Sequence, residues 1–428
     1  MSARFDVLVV GAGPGGLVAA STAAAADARV CLIDDNPSAG GQIWRSGIAE
    51  TNPAAARLFR QLQTLRVDTR FGWRAVTTPA VHVLRVEHQG EFADVEYGSL
   101  ILATGARERF LPFPGWTLPG IYGAGGLQAF VKSGFDIRRK RVVVAGTGPL
   151  LLAVAAHLRA AGAHIVCIVE QASMRRLAQF SLSLLNGQAR KLGEGAGYAL
   201  RTAGIPYRTG AWVMSASGHE RLERVTIRSG SRIVEVAADM LAIGYHLVPN
   251  TELAELLQCE LDLGYVRVDE WQQTSIDGIY CAGEVTGIGG LQKAKIEARI
   301  AAFAATGQIE RAKSFFKERD RQTQFARNLG EAFALRDELR HLATSNTTVC
   351  RCEDVPYDAL VDCNTWREAK LHTRCGMGPC QGRICGPATE FLFGWNPPAP
   401  RPPLFPVEVA TLADASSRSN ADEVVAKP

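Results

Sequence analysis

Apolar runs of strand length punctuate the chain, and several end in glycine or an acid. Phe5 to Val10 is the first. It leads into Gly11-Ala-Gly13-Pro14-Gly15-Gly16 and then an alanine-rich stretch that predicts a helix. A second run, Arg29 to Ile33, stops at Asp34 and Asp35. Leu58 to Leu65 has helical spacing, and the alternation over Val81–Val86 and Phe92–Tyr97 predicts a hairpin. Ser99 to Leu102 predicts a buried strand ending in Ala103-Thr104-Gly105. Arg141 to Leu151 repeats the strand–turn–helix pattern, and Ile165 to Val169 is its second strand, closing on Glu170. Ala172 to Ala203 reads as mostly helical and Arg221 to Val236 as alternating strands. A further strand runs to Gly244 and the crossing loop that holds His246. Another runs to Ala282-Gly283-Glu284, before a helix over Leu291–Ala305. Arg311 to Leu342 is charged, with Phe325, Leu329, Phe333 and Leu339 at helical intervals, and predicts a helical bridge.

Strand, Gly-x-Gly-x-x-Gly, helix, strand and acid, in that order, form the dinucleotide-binding fingerprint. Gly11 permits the tight turn, Gly13 lets backbone approach a pyrophosphate, and Gly16 lets helix and strand pack. The helix start offers unpaired N–H groups to the phosphates. Asp34 can accept from a ribose. The loop with Gly40, Gly41 and Gln42 would lie along the rest of a dinucleotide, with no redox cysteine pair after it. Thr104-Gly105 marks the crossing out of the flavin domain of a two-dinucleotide flavoprotein, and Gly283-Glu284 is its last flavin signature. There the acid accepts from a ribitol hydroxyl and the following helix start stabilises negative charge on the ring. In the second unit Gly146 and Gly148 stand where the first two glycines should, but Leu151 replaces the third. A nucleotide here, on Gly146, Gly148 and Glu170, is the weaker expectation.

The chain has 428 residues, 47% hydrophobic and 21% charged, with a net charge of +4. This fits an α/β enzyme of two or three domains and gives no argument for nucleic acid as a partner. No run reaches the ~18 apolar residues of a membrane span. The first apolar run is too short for a secretory leader, so a cytoplasmic location is expected.

The ten cysteines are unevenly spread. Cys31, Cys167, Cys259 and Cys281 sit singly in apolar segments and read as buried hydrophobes. Six crowd between Cys350 and Cys385. Cys350-x-Cys352 and Cys380-x4-Cys385 match a four-thiolate site for zinc or a [2Fe-2S] cluster. An iron–sulfur cluster has a use beside a flavin that zinc lacks. The ligand choice is open, because Cys375 and Cys380 show the same Cys-x4-Cys spacing. The tail, from about 397, is proline-rich and reads as an extended arm with a disordered end.

Taken together, these motifs, with Pro114-Gly-Trp116 and Gly244-Tyr-His246-Leu-Val-Pro249-Asn250, resemble one family. It is the large flavin subunit of bacterial heteromeric amine and amino-acid dehydrogenases: opine oxidases, D-hydroxyproline dehydrogenase and hydrogen cyanide synthase. The cysteine ending resembles the iron–sulfur domain related to bacterioferritin-associated ferredoxin. The resemblance implies two Rossmann-like domains of glutathione-reductase type, the second inserted in the first. The implied FAD-binding domain is 1–110 with 240–310, and the second domain is 111–239. A helical linker at 311–345, a small helical [2Fe-2S] domain at 346–396 and a tail at 397–428 follow. It implies FAD on Gly11, Gly13, Pro14, Gly15, Gly16, Asp34, Asp35, Gly41, Gln42, Thr104, Gly105, Gly283 and Glu284. It implies a cluster on Cys350, Cys352, Cys380 and Cys385, with Cys375 a spare thiol beside it. It further implies FMN at a subunit interface and an adenine nucleotide in the second site. The implied partners are a β flavoprotein subunit that oxidises the substrate C–N bond and a small ferredoxin-like subunit. The expected activity is electron relay, and no catalytic residue is assigned in this chain. The alternatives are an NAD(P)H-dependent reductase feeding a ferredoxin-like acceptor and a redox-silent nucleotide-binding scaffold.

Overall fold

The computed structural model describes residues 3–45, 52–185 and 188–412. Backbone contacts divide the chain into two compact units. Met1–Ala106, Pro249–Thr323 and Ala399–Pro428 form the first; Arg107–Val248 and Gln324–Pro398 form the second.

The first unit is built on strands β1 (Ala3–Val10), β2 (Val30–Asp34), β3 (Asp68–Phe71), β4 (Arg74–Ala80), β5 (Val83–His88) and β6 (Glu91–Leu102). Their order is β3-β2-β1-β6-β5-β4, and Ile279–Cys281 pairs with the end of β6. The strands β3, β2, β1 and β6 run parallel, and β6, β5 and β4 form an antiparallel meander. Every residue of β2 is buried, which a near-continuous apolar strand covered on both faces requires. Helix α1 (Pro14–Ala24) starts with proline, whose missing N–H would have no partner there. Its small residues share a core with Ala298, Ala301 and Ala302 of the helix Gly290–Ala305.

The second unit has a five-stranded parallel sheet. In spatial order it is Tyr207–Thr209, His164–Glu170, Arg141–Thr147, Met240–Tyr245 and Ile121–Gly123. A three-stranded antiparallel sheet, Ala211–Ser217, Arg224–Ser229 and Arg232–Ala237, lies beside it in sequence. The cysteine segment belongs to this same unit. Its hairpin Thr348–Cys350/Val355–Pro356 accepts a 2.6 Å bond at Thr348 O from the Trp116 indole. Arg107 Nε donates to Arg383 O at 3.1 Å, and Phe391 enters a core with Val143 and Leu241. Residues 346–396, which the sequence suggests as a separate domain, have a core cluster of their own from Val349 to Trp395 and belong by backbone contacts to the second unit.

Part of the expected arm is packed on the first unit. Leu404 is buried, its N–H donates to Val76 O at 2.9 Å, and Arg85 donates to Thr411 O at 3.0 Å. The end expected to be disordered falls on 413–428, outside the described residues. Among the described residues, no helix is long and apolar enough to cross a membrane.

Candidate flavin site and thiol cluster

In the first unit the fingerprint turns sharply. Gly11 has φ +104°, and a Cβ there would lie 2.3 Å from Ala103 O. A Cβ on Gly16 would collide with Gly11 O. At Gly13 and Gly105 a Cβ would meet nothing within 4 Å, so both face open space, as a backbone cradle for a pyrophosphate must. The Gly40-Gly41 loop folds back: Gly40 N donates to Ala12 O at 2.8 Å, and a Cβ on Gly41 would come within 3.0 Å of Gly13 Cα. Asp34 ends β2 and is buried, accepting from Ala12 N at 2.5 Å and from Asn36 N at 2.8 Å. Asp35 and Gln42 are exposed. Thr104 is pinned by Asn250: Thr104 Oγ1 donates to Asn250 O at 2.6 Å, and Asn250 Nδ2 donates to Thr104 O at 2.8 Å.

Glu284 offers the clearest acceptor for a ligand. Its Oε1 accepts from Gly290 N at 2.7 Å, at the start of the helix Gly290–Ala305. Its Oε2 is buried with no hydrogen-bond partner. Burial pushes this carboxyl above its ordinary pKa, against the Gly290 N–H that lowers it. A buried carboxylate oxygen without a donor is costly, and native proteins keep few of them. A donor hydroxyl of a ribityl chain would satisfy it. The residues of this unit therefore fit a flavin adenine dinucleotide by open cradle, ribose-side acid and orphaned acceptor.

Sequence reasoning missed what holds this turn. Lys293 Nζ lies 2.7 Å from Glu297 Oε1, with both side chains 4% exposed. Glu297 Oε2 accepts from Gly283 N at 2.9 Å and Thr286 Oγ1 at 2.8 Å, and Lys293 donates to Thr286 Oγ1 at 2.9 Å. The signal was available: a lysine and a glutamate four apart in a helix otherwise rich in alanine and isoleucine.

The second unit repeats the pattern with different results. Glu170 ends its strand with no exposed surface. Its Oε1 accepts from Thr147 Oγ1 and Ala172 N, both at 2.8 Å, and its Oε2 from Gly148 N at 2.7 Å. Burial raises its pKa to about 7, against those three donors. Gly146 has φ +130° and abuts Gly244, while Gly148 faces open space. Leu151 is buried in the unit's core. The opening turn also differs. Leu151 N donates three residues back to Gly148 O, where Leu17 N in the first unit donates four back to Gly13 O.

The thiols converge. The sulfurs of Cys350, Cys375 and Cys385 lie within 4.8 Å of one another, all three residues buried. Hydrogen bonds from Cys375 and Cys385 draw Cys350 down to about 2, while the bond to Cys350 drives Cys375 up to about 12 and raises Cys385. Three sulfurs this close can all be thiolates only around a cation, which is what a metal ion or cluster supplies. Cys352, exposed, and Cys380, half-buried, interact with each other. Of the four expected ligands, Cys350 and Cys385 thus stand with Cys375, and Cys352 stands with Cys380. Cys363 is apart, its sulfur 4.0 Å from Ala359 O.

Comparison with known proteins agrees with this geometry. A family model described as pyridine nucleotide-disulphide oxidoreductase matches residues 5–308. Hydrogen cyanide synthase subunit HcnB of Pseudomonas aeruginosa is 34% identical over 96% of this chain and 99% of its own. An opine oxidase subunit of Agrobacterium tumefaciens is 30% identical over 96% of this chain and 92% of its own. Among solved structures, L-proline dehydrogenase from P. horikoshii superposes with a TM-score of 0.68 at 18% identity, covering 96% of this chain and 80% of that one. Thioredoxin reductase of Lactococcus lactis gives 0.54 at 18% identity, over 73% and 99%. These two likenesses show the fold. The chain belongs to the pyridine nucleotide-disulphide oxidoreductase family, with full-length relatives among the subunits of hydrogen cyanide synthase and opine oxidase.

Proposed function

We propose that this chain is the flavin- and iron–sulfur-carrying subunit of a heteromeric amine or amino-acid dehydrogenase. A partner flavoprotein chain would oxidise the substrate CH–NH bond to an imine, releasing two electrons and two protons, and this chain would relay the electrons. A flavin takes up two electrons and releases them singly, and an iron–sulfur cluster carries one at a time. This chain's residues bind and tune. Gly11, Gly13, Gly16 and the start of α1 cradle the pyrophosphate, Asp34 serves the adenosine ribose, and Glu284 serves the ribityl chain. The cysteines between Cys350 and Cys385 hold a [2Fe-2S] cluster. The single observation that carries the reading is the convergence of buried thiols in a chain that also keeps an orphaned flavin-side acid. The relatives' names support the heteromeric setting. An interface FMN and a small ferredoxin-like partner belong to the same proposal.

The test is an anaerobic visible spectrum with an iron assay, before and after NADH, and again with partner chain and amine. Flavin and iron–sulfur absorption that NADH leaves unchanged, but that amine plus partner bleaches, is the expected result. Rapid bleaching by NADH would make the chain a reductase, and absence of both flavin and iron would make it a scaffold. Serine in place of Cys350, Cys352, Cys375, Cys380 or Cys385, one at a time, identifies the ligands. Four substitutions should alter the electron paramagnetic resonance of the reduced cluster, and the fifth should not.

A further inference from the structure

The mouth of the second fingerprint is crossed by the chain itself. Downstream of the helix Phe316–Ala332, the backbone from Ala332 to Arg336 passes over the ends of the strands Arg141–Thr147 and His164–Glu170. Four side chains meet it. Gln171, with no exposed surface, donates from Nε2 to Phe333 O at 3.3 Å and Ala334 O at 3.2 Å, and its Oε1 accepts from Arg336 N at 3.2 Å. His246 Nε2 lies 2.6 Å from Phe333 O. Thr147 Oγ1, which donates to Glu170, is 3.4 Å from the same carbonyl. Arg176 donates to Ala334 O at 3.2 Å. The Phe333 ring is buried in a small cluster with Ala172 and Leu177, 5.3 Å from Phe180 in an edge-on contact.

The acid at the end of a fingerprint's second strand ordinarily receives a ribose hydroxyl. Glu170 accepts three hydrogen bonds from its own turn, as Asp34 does in the first unit from Ala12 N, Asn36 N and Asn36 Nδ2. The two units part at the next residue, which here is clasped to the crossing segment. In the first unit the corresponding residue, Asp35, is exposed. His246 itself has φ +67°, a conformation that non-glycine residues rarely adopt. The bond to Phe333 O and burial hold it there.

We infer that the segment Ala332–Arg336 is an internal occupant of the second dinucleotide unit, its carbonyls standing where a nucleotide's ribose would lie, so that the chain takes no pyridine or adenine nucleotide there. The inference deepens the relay reading, since it removes NAD(P)H as an electron donor bound at that unit, but it stands on a different part of the molecule.

The experiment is calorimetric titration of the flavin- and cluster-loaded full chain with NADH, ATP and ADP-ribose. The wild-type chain should show no binding at nucleotide concentrations up to ~1 mM. The variant Gln171→Ala/His246→Ala, which releases the clasp and leaves Gly146, Gly148 and Glu170 in place, should gain affinity for ADP-ribose by at least ~10-fold, and adding Glu170→Gln should abolish the gain. Binding by wild type that Glu170→Gln removes would overturn the inference, as would a folded double variant that gains nothing. Should that variant not fold, hydrogen exchange at the Arg336 amide of wild type decides. A rate unchanged by 1 mM ADP-ribose supports the internal occupant, and a changed rate refutes it. A nucleotide that binds without bleaching the flavin sinks this inference alone. A chain lacking iron sinks the relay reading alone.

Discussion

Glu170, fully buried, and Glu284, half-buried, stand at or just past the end of a parallel strand, one in each unit, yet they are treated in opposite ways. Glu170 accepts three hydrogen bonds from its own turn. Glu284 accepts one, from Gly290, and its second oxygen has no partner. The acid that matches Glu170 by position is Asp34, which also accepts three hydrogen bonds from its own turn, so the free oxygen belongs to the flavin-side acid and not to a fingerprint acid. A free buried acceptor is a cost that folding alone does not justify and that a bound ligand repays. A saturated one is structure. The difference separates an acid with an acceptor left for a ligand from one engaged in bracing its own turn.

The freedom of Glu284 depends on the ion pair beneath it. Glu297 ties Gly283 and Thr286 in place, and Lys293 neutralises it at 2.7 Å, so the turn does not need the Glu284 carboxylate for its own bonds. Lys293→Met leaves Glu297 buried without a countercharge. The loss should be about 3–5 kcal/mol, read as a lower denaturant midpoint, with flavin lost in parallel. A midpoint unchanged by the substitution would mean that the pair does not hold the turn.

The second effect is one of pH. Glu170 is raised from 4.5 to about 7, so the folded chain holds a proton that the unfolded chain has released. Stability on this account is full below the unfolded value and falls as pH rises from 4.5 toward 7, by about 3 kcal/mol in all. Above pH 7 no further loss comes from this group. In Glu170→Gln the window should vanish. A constant offset of about 1 kcal/mol should remain, because the new amide cannot accept from Gly148 N. Thermal unfolding of both proteins from pH 5 to 8 gives the comparison, and parallel curves would show that Glu170 does not titrate in that window.

How much of this was legible follows the range of the interactions. The turns at Gly11–Gly16 and Gly146–Gly148, and the strands that lead into them, are local, and their glycines and apolar runs announce them. The inserted arrangement was readable because each crossing, at Thr104-Gly105 and Gly244 to Asn250, carries its own short motif. The crossing by Phe333 was not. Gln171 meets it from 162 residues away, and nothing in a phenylalanine at helical spacing says which carbonyl will face which amide. The thiols were legible as a group and not as a set. Spacing allowed two Cys-x4-Cys pairs, and only the fold brings Cys375 to Cys350 and Cys385. The tail's composition suggested an arm, and a proline-rich stretch does not reveal that Leu404 finds a pocket beside β4. The pair Lys293–Glu297 could have been found from its spacing.

The smallest effect is the most diagnostic, because its two readouts move in opposite directions. Glu284→Gln removes a carboxylate whose charge is disfavoured by burial, so the flavin-free chain should keep or slightly gain stability. The same change replaces a charged acceptor for the flavin's hydroxyl with a neutral amide. Such a bond is worth about 1.5–3 kcal/mol, so flavin affinity should fall roughly ten- to hundredfold, measured by fluorescence during reconstitution of the flavin-free chain. The pH dependence has a fixed sign as well. A donor hydroxyl favours the ionised carboxylate, so wild-type affinity should weaken as pH falls through the raised pKa of Glu284, and the variant should be flat there. Glu170→Gln, the same substitution at a fully bonded acid of the other unit, should leave flavin affinity where it was. If both glutamines weakened the flavin equally, the contrast between a free acid and a busy one would fail, and Glu284 would have to be read as bracing too.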